Sequence, residues 1–171
     1  MQTFMPYPNF VASAATLDDR RLNKQVVEAY QILTGKVQNH NHPVYLMWQG
    51  HERDLWLYFC ACCEEYTLRT GKHHACESAS RKWILCIDSF HADYETPIPS
   101  WIGSRLFHIS HRVNLLRKDP VHYDSLRQSL PTPELSTYPT GYYWPVEPVG
   151  KKAKVDRAAW IAWAEKNGVM D

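Results

Sequence analysis

Arg21, Lys24, Gln25, Glu28 and Gln31 recur three or four residues apart, so a helix would place them on one face carrying both signs of charge. Glu28 is the carboxylate of that stripe, and Arg20 flanks it. A carboxylate set among cations can stabilise developing positive charge or move a proton. Arg20 and Arg21 fall in the first turns of the helix, where a cation opposes the helix dipole by roughly 0.3–1 kcal/mol, and Lys24 precedes Glu28 in the less favourable order for a helical ion pair. Helix stability does not call for this arrangement. A phosphate near the helix start would, because backbone amides and arginines there bind the same anion. The competing reading is that Asp18 and Asp19 neutralise the arginines and the stripe is solvated.

A second group lies in LFHISHRVNLLRKDPVHY, which holds His108, His111, Arg112, Asn114, Arg117, Lys118, His122 and Tyr123. Arginine and lysine neutralise phosphates, asparagine and histidine hydrogen-bond backbone or base, and tyrosine stacks. Leu106, Ile109, Val113 and Leu116 give the same segment an apolar side, so an amphipathic helix with a basic outer face is the rival reading. The Asn41-His42-Pro43 turn and the run Tyr142, Tyr143, Trp144 are weaker signals of the same kind, equally suited to loop packing. The five cysteines are odd in number, and Cys60, Cys62 and Cys63 crowd one predicted helix, which is a poor disulfide framework and fits a reducing compartment. With His73 and His74 they raise the question of a metal, but the spacing lacks the two short ligand pairs of structural zinc and the four spaced cysteines of an iron–sulfur centre. Small buried thiols are expected, with no metal and no cofactor. Glycine-rich phosphate loops and nucleophilic-serine motifs are absent.

The elements that must position these groups are helical. A helix is expected over residues 17–33, with Thr16 and Asp19 as a capping pair and Gly35 as its stop. Leu22, Val26, Ala29, Tyr30 and Leu33 form its core face, and Glu28 is not among them. Residues 1–10 carry two prolines and three aromatics and read as an extended, packed segment. Pro43 opens a second helix that Gly50 bends or splits. Residues 51–70 read as a central core helix through Leu55, Tyr58, Phe59, Cys62, Tyr66 and Leu68, closed by Gly71. Further helices are expected over residues 75–90, 101–118 and 122–128, followed by an irregular Pro- and Thr-rich stretch. The last helix carries Asp156 as cap, Trp160 and Trp163 on one side and Gly168 as stop, and looks like an added packing or docking element. Strand signals are scarce, so the expected fold is mainly α.

Composition sets the remaining bounds. A chain of 171 residues, 44% hydrophobic and 13% aromatic, fits one folded domain. A net charge of +1 does not announce a nucleic-acid binder, but the basic residues gather in two stretches that can share one face. No apolar run suits a membrane span, and the start lacks the basic and apolar regions of a signal peptide, so a cytoplasmic protein is expected.

The ordered set MQTFMPYPNF, LDDRRLNKQVVEAYQIL, NHP, SHRVNLLRKDPVHY and YYWPV resembles the pyrimidine-dimer DNA glycosylase family, whose best-known member is phage endonuclease V. The likeness is closer to bacterial and viral relatives with a similar aromatic start than to the phage enzyme, and it spans residues 1–146. It implies a compact single-domain helical bundle over residues 1–146, with residues 147–171 as an extension. It also implies a monomeric glycosylase with abasic-site lyase activity, acting on a damaged or modified pyrimidine in double-stranded DNA and needing no cofactor. The amino-terminal α-amine would be the nucleophile and a helix glutamate the second catalytic group, which map to Met1 and Glu28. α-Amines ordinarily titrate near 8, so part of such a group is free base at neutral pH. The DNA-binding set expected around them, from the charge and hydrogen-bonding capacity of the side chains, is Arg20, Arg21, Lys24, His42, His111, Arg112, Asn114, Arg117, Lys118 and Tyr123.

Two departures qualify the transfer. The phage enzyme exposes a threonine amine after methionine removal, whereas the large Gln2 disfavours trimming and leaves Met1 as the nucleophile; the arginine before the family glutamate is Val27 here. Alternatives of other kinds are a glycosylase for a hypermodified pyrimidine, a catalytically inactive DNA-binding module, and a helical interaction protein using its tryptophan-bearing tail.

Overall fold

The protein is described from a computed structural model over residues 1–77, 98–146 and 157–169. The described residues form six α-helices and three 3-10 helices and contain no strand, so the fold is mainly α. The helices are α1 (Phe10–Thr16), α2 (Asp19–Leu33), α3 (Pro43–Met47), α4 (Glu52–Thr70), α5 (Arg105–Lys118) and α6 (Arg157–Asn167). The expected helix over residues 75–90 lies outside the described residues beyond Glu77, as does the Asp156 cap.

Phe10, expected at the end of the extended segment, instead opens a short helix that runs to Thr16, ahead of the first expected helix. Asn9 caps α1 by accepting from the Ala12 amide at 2.8 Å. The Thr16 hydroxyl donates back to Ala12 O at 2.7 Å, so it does not cap the next helix. Asp18 does this instead, accepting from the Arg21 amide at 3.0 Å. The expected cap at Thr16 is thus displaced by two residues, to Asp18, because Thr16 is still helical in α1 while Asp18 has the extended backbone of a cap. Such a cap typically contributes about 1 kcal/mol.

Helices α1 and α2 both pack on α4. Leu22, Val26, Ala29 and Leu33 of α2 meet Leu55, Tyr58, Phe59 and Cys62 of α4 in the main core, with Trp48 and Trp101 edge-to-face at 4.7 Å. Full burial of each large apolar side chain contributes roughly 1.5–3 kcal/mol. Gly71 ends α4 at φ 69°, a left-handed position that suits glycine. Three expected core residues lie elsewhere: Tyr30 and Tyr66 are half-buried, and Leu68, in the last turn of α4, is 80% exposed. Cys60, Cys62, Cys63 and Cys76 are free thiols.

Ser104 caps helix α5, its hydroxyl accepting from the Phe107 amide at 3.2 Å. Ten of its fourteen residues are buried, which leaves far less basic outer face than an amphipathic helix would have. The reason is a second core on its other side. Leu106, Ile109 and Val113 pack against Tyr138 and against Trp160, Trp163 and Ala164 of α6, and Tyr138 and Trp163 lie 4.6 Å apart. The tryptophan-bearing tail therefore packs on the rest of the chain. The helix expected over residues 122–128 is a 3-10 helix at Asp124–Ser129. Among the described residues no helix is long and apolar enough to cross a membrane.

Candidate active site

The extended amino-terminal segment lies along the polar stripe of α2, with Thr3, Phe4, Met5 and Pro6 buried. Buried backbone polar groups need partners, and among the described residues there is no strand to supply them. Side chains take that role. The Phe4 amide donates to Gln25 Oε1 at 2.7 Å, and Gln25 Nε2 donates to Gln2 O at 2.9 Å. The Met5 amide donates to His111 Nδ1 at 3.1 Å, and the His108 ring meets Met5 O at 2.8 Å. Arg112 Nε donates to Pro6 O at 2.7 Å. Trp48 Nε1 donates to Thr3 Oγ1 at 3.2 Å, and the Tyr58 hydroxyl lies 2.8 Å from both Phe4 O and Gln25 Oε1.

This strapping carries the amino terminus to Glu28. The Gln2 amide donates to Glu28 Oε2 at 2.8 Å, and the Met1 amine stands 3.7 Å from Oε1. Lys24 Nζ approaches the same Oε1 to 3.6 Å. The expectation that Glu28 sits on a stripe apart from the core is corrected here: Glu28 is 5% exposed and Gln25 is fully buried, because the amino-terminal segment covers the stripe. A buried carboxylate is costly unless cations and donors surround it, and Glu28 has two cations, one backbone amide and Gln25 Nε2 at 3.4 Å. An amine and a carboxylate held together in a sheltered site form a nucleophile and a proton acceptor within one reach.

Beside this pair, Arg21 is ion-paired to Asp18 and lies over the Tyr123 ring at 5.5 Å. The Tyr123 hydroxyl donates to Asp18 Oδ2 at 2.5 Å and accepts from the Asp18 amide at 3.0 Å. Burial alone would raise the Asp18 carboxyl, but hydrogen bonds from Tyr123 and Arg21 outweigh it and hold it at about 2. Burial pushes the Tyr123 phenol up to about 12. His42 caps α3, its Nδ1 accepting from the Val44 amide at 3.2 Å; burial, then the charge of the amino terminus, lowers its pKa. Arg20, Lys24 and Lys118 are exposed.

The remaining expected DNA contacts are spent within the protein. His111 is fully buried, and burial followed by the charge of His108 lowers its pKa well below 6.5. Asn114 Nδ2 donates to Ser110 O at 2.8 Å and Gly141 O at 2.5 Å. Arg112 also donates to Ser129 O at 3.1 Å and lies over the Tyr7 ring at 4.9 Å. Arg117 donates to Pro139 O at 2.8 Å, Leu135 O at 2.8 Å and Tyr138 O at 2.9 Å. Tyr123 is 1% exposed. For Arg112, Asn114 and Arg117 the cause is the irregular stretch after α5, whose carbonyls accept from these nearby cations and amides.

The residues missed from the sequence are the ones that hold the strap. Gln25, at the position three before Glu28 on the same helix face, was legible as a member of the stripe but not as the partner of a segment some twenty residues away; Tyr58 was legible as a core residue but not as a hydroxyl bonded to Phe4 O and Gln25, and Asp18 was legible as a partner of the arginines but not of Tyr123. Neither the curated proteins nor the solved structures yield a significant match to this chain. Residues 1–77, which contain Met1, Glu28 and Gln25, match the family model described as pyrimidine dimer DNA glycosylase, and that match supports the family resemblance read from the sequence.

Proposed function

We propose that this protein is a DNA glycosylase with abasic-site lyase activity, acting through the Met1 amine and Glu28 on a damaged or modified pyrimidine in duplex DNA. The observation that carries the reading is the 3.7 Å approach of the Met1 amine to Glu28 Oε1, both groups nearly buried, within the segment that matches the family model. The amine lone pair bonds to C1′ of the target nucleotide as the bond from C1′ to the base breaks, its electron pair leaving with the base. Glu28 accepts a proton from the alkylated amine and passes it to the ring oxygen O4′, which departs from C1′ and leaves a Schiff base. The carboxylate then removes a proton from C2′, and the 3′ phosphate leaves by β-elimination. Water hydrolyses the Schiff base and frees the amine.

The target must leave the stack to reach a covered amine. In this reading the exposed Arg20, Lys24 and Lys118, with the partly buried His42, face the phosphates, while Arg21, His111, Arg112, Asn114, Arg117 and Tyr123 hold the scaffold that carries them. Residues 1–146 supply the reaction, Trp160, Trp163 and Ala164 of the 147–171 extension brace α5, and one copy acts alone. The test is incision of duplexes bearing a cyclobutane pyrimidine dimer, a 5-hydroxymethyl pyrimidine or an abasic site by the untagged protein. Base release with unsaturated-aldehyde 3′ ends on at least one of them is the expected result. Intact strands on all three, the abasic duplex included, would overturn the reading.

A further inference from the structure

A cavity of about 490 Å³ opens beside Pro8 of the amino-terminal segment, between the first turns of α5, residues 128–131 and the end of α6. Met1 and Glu28 do not line it. Its charged walls are Arg105 and Arg112, with His108 beside them, and no carboxylate is among its described lining residues. Both arginines pose a problem that an anion would resolve. Arg105 is the first residue of α5, where a cation opposes the helix dipole; α5 has no acidic residue in its first turn, and Arg105 makes no ion pair among the described residues. Arg112 is half-buried, its recorded hydrogen bonds go to the carbonyls of Pro6 and Ser129, and it too has no carboxylate partner among the described residues. Two carbonyls take one N–H each from Nε and Nη1, the face of the Tyr7 ring at 4.9 Å offsets part of the charge, and the remaining N–H groups and charge stay without a carboxylate in a partly desolvated place.

We propose that this cavity is a second, phosphate-binding site, with Arg105 and the outward edge of the Arg112 guanidinium as its ligands. Gly103 and Gly168, both in its lining, bring no side chain into the space. Small divided charges such as phosphate suit a pair of guanidinium groups, which offer planar N–H forks. The site is not lined by the reacting pair, yet its wall is also the strap's anchor: Arg112 holds Pro6 O, and His108 holds Met5 O. The same phosphate chemistry comes from two sources, the backbone of bound DNA or a free nucleotide. The DNA source rests on the proposed function; the site itself does not.

The experiment follows the amide signals of Gly103 and Gly168 by nuclear magnetic resonance at fixed ionic strength, in the full chain and in Arg105→Glu. Inorganic phosphate, thymidine monophosphate and an undamaged duplex are titrated separately, with chloride as the control. Saturable shifts with phosphate that chloride does not reproduce, weakened at least about tenfold in Arg105→Glu, are expected. Arg105→Glu removes the clash with the helix dipole, so its Tm should not fall, which separates loss of the site from loss of the fold. Saturation by the duplex at far lower concentration than by the nucleotide assigns the site to DNA backbone; the reverse order assigns it to free nucleotides. Shifts that chloride reproduces, or saturable shifts that persist unchanged in Arg105→Glu, would overturn the proposal. None of these readouts needs catalysis, so an inactive enzyme would leave this test intact.

Discussion

The backbone amide of Gln2 donates to Glu28 Oε2 at 2.8 Å, so one oxygen of the carboxylate fixes the chain while the other, Oε1, faces the Met1 amine at 3.7 Å and Lys24 at 3.6 Å. Position and chemistry are thereby divided between the two oxygens of one side chain. In Glu28→Gln the amide oxygen can still accept from Gln2, but the group facing the amine can no longer take a proton. Single-turnover incision should fall by about 10²–10⁴, with DNA affinity in a binding titration nearly unchanged. Equal incision rates would remove Glu28 from the reaction.

Gln25 is fully buried and joins Gln2 O, the Phe4 amide and Glu28 in one network. Gln25→Met keeps the shape and leaves the Phe4 amide without its acceptor. The cost in urea unfolding should be about 1–3 kcal/mol. Schiff-base trapping per folded molecule should slow more than DNA binding weakens, because the register of the strap is what sets the amine against Glu28. A rate per folded molecule equal to wild type would show that the strap finds its place without Gln25.

Acid should weaken the fold in two steps. His111 accepts from the Met5 amide, and its folded pKa is depressed below 6.5, so the unfolded chain takes up the proton first. Its contribution is complete above about 6.5 and declines as pH falls below that value. Asp18, held at about 2 against an ordinary 3.8, contributes fully above 3.8 and loses that contribution as pH falls toward 2. His111→Asn, which preserves an acceptor near Nδ1, should flatten the Tm profile between about 6.5 and 4.5 and leave the lower step in place. A wild-type Tm that does not change from pH 7 to 4.5 would contradict the first step.

Arg117 satisfies three carbonyls of the irregular stretch after α5. Arg117→Ala should therefore cost roughly 2–4 kcal/mol of stability and leave the salt dependence of DNA binding unchanged. Arg20→Ala, at an exposed position, should do the opposite: no change in stability, and a salt slope smaller by about 0.9 if its side chain meets one phosphate. Exchange of these two outcomes would return Arg117 to the DNA-facing set.

Local pattern made much of the architecture legible. The periodicity of Leu22, Val26, Ala29 and Leu33 marked the face of α2, Gly71 marked the end of α4, and Trp160 and Trp163 marked a packing face of α6. The wider helical class followed from the same periods. What pattern could not carry was contact between distant segments. Glu28 and Gln25 look solvated on a helical wheel and are buried because residues 1–6 cover them, and Arg117 looks like a phosphate ligand until the carbonyls of residues 135–139 are brought to it. Charge type shows what a side chain can bind; the fold decides whether its donors are already taken.

The central claim is that the Met1 amine attacks the sugar, and Lys24, whose amine lies equally near Glu28, is its structural rival. Borohydride trapping of the untagged protein on an abasic duplex, followed by peptide mass spectrometry, tests this most directly. The account predicts a covalent adduct on the peptide beginning at Met1, attached through the α-amine, with Lys24 unmodified. An adduct on Lys24, or no adduct from a protein that incises the duplex, would contradict it.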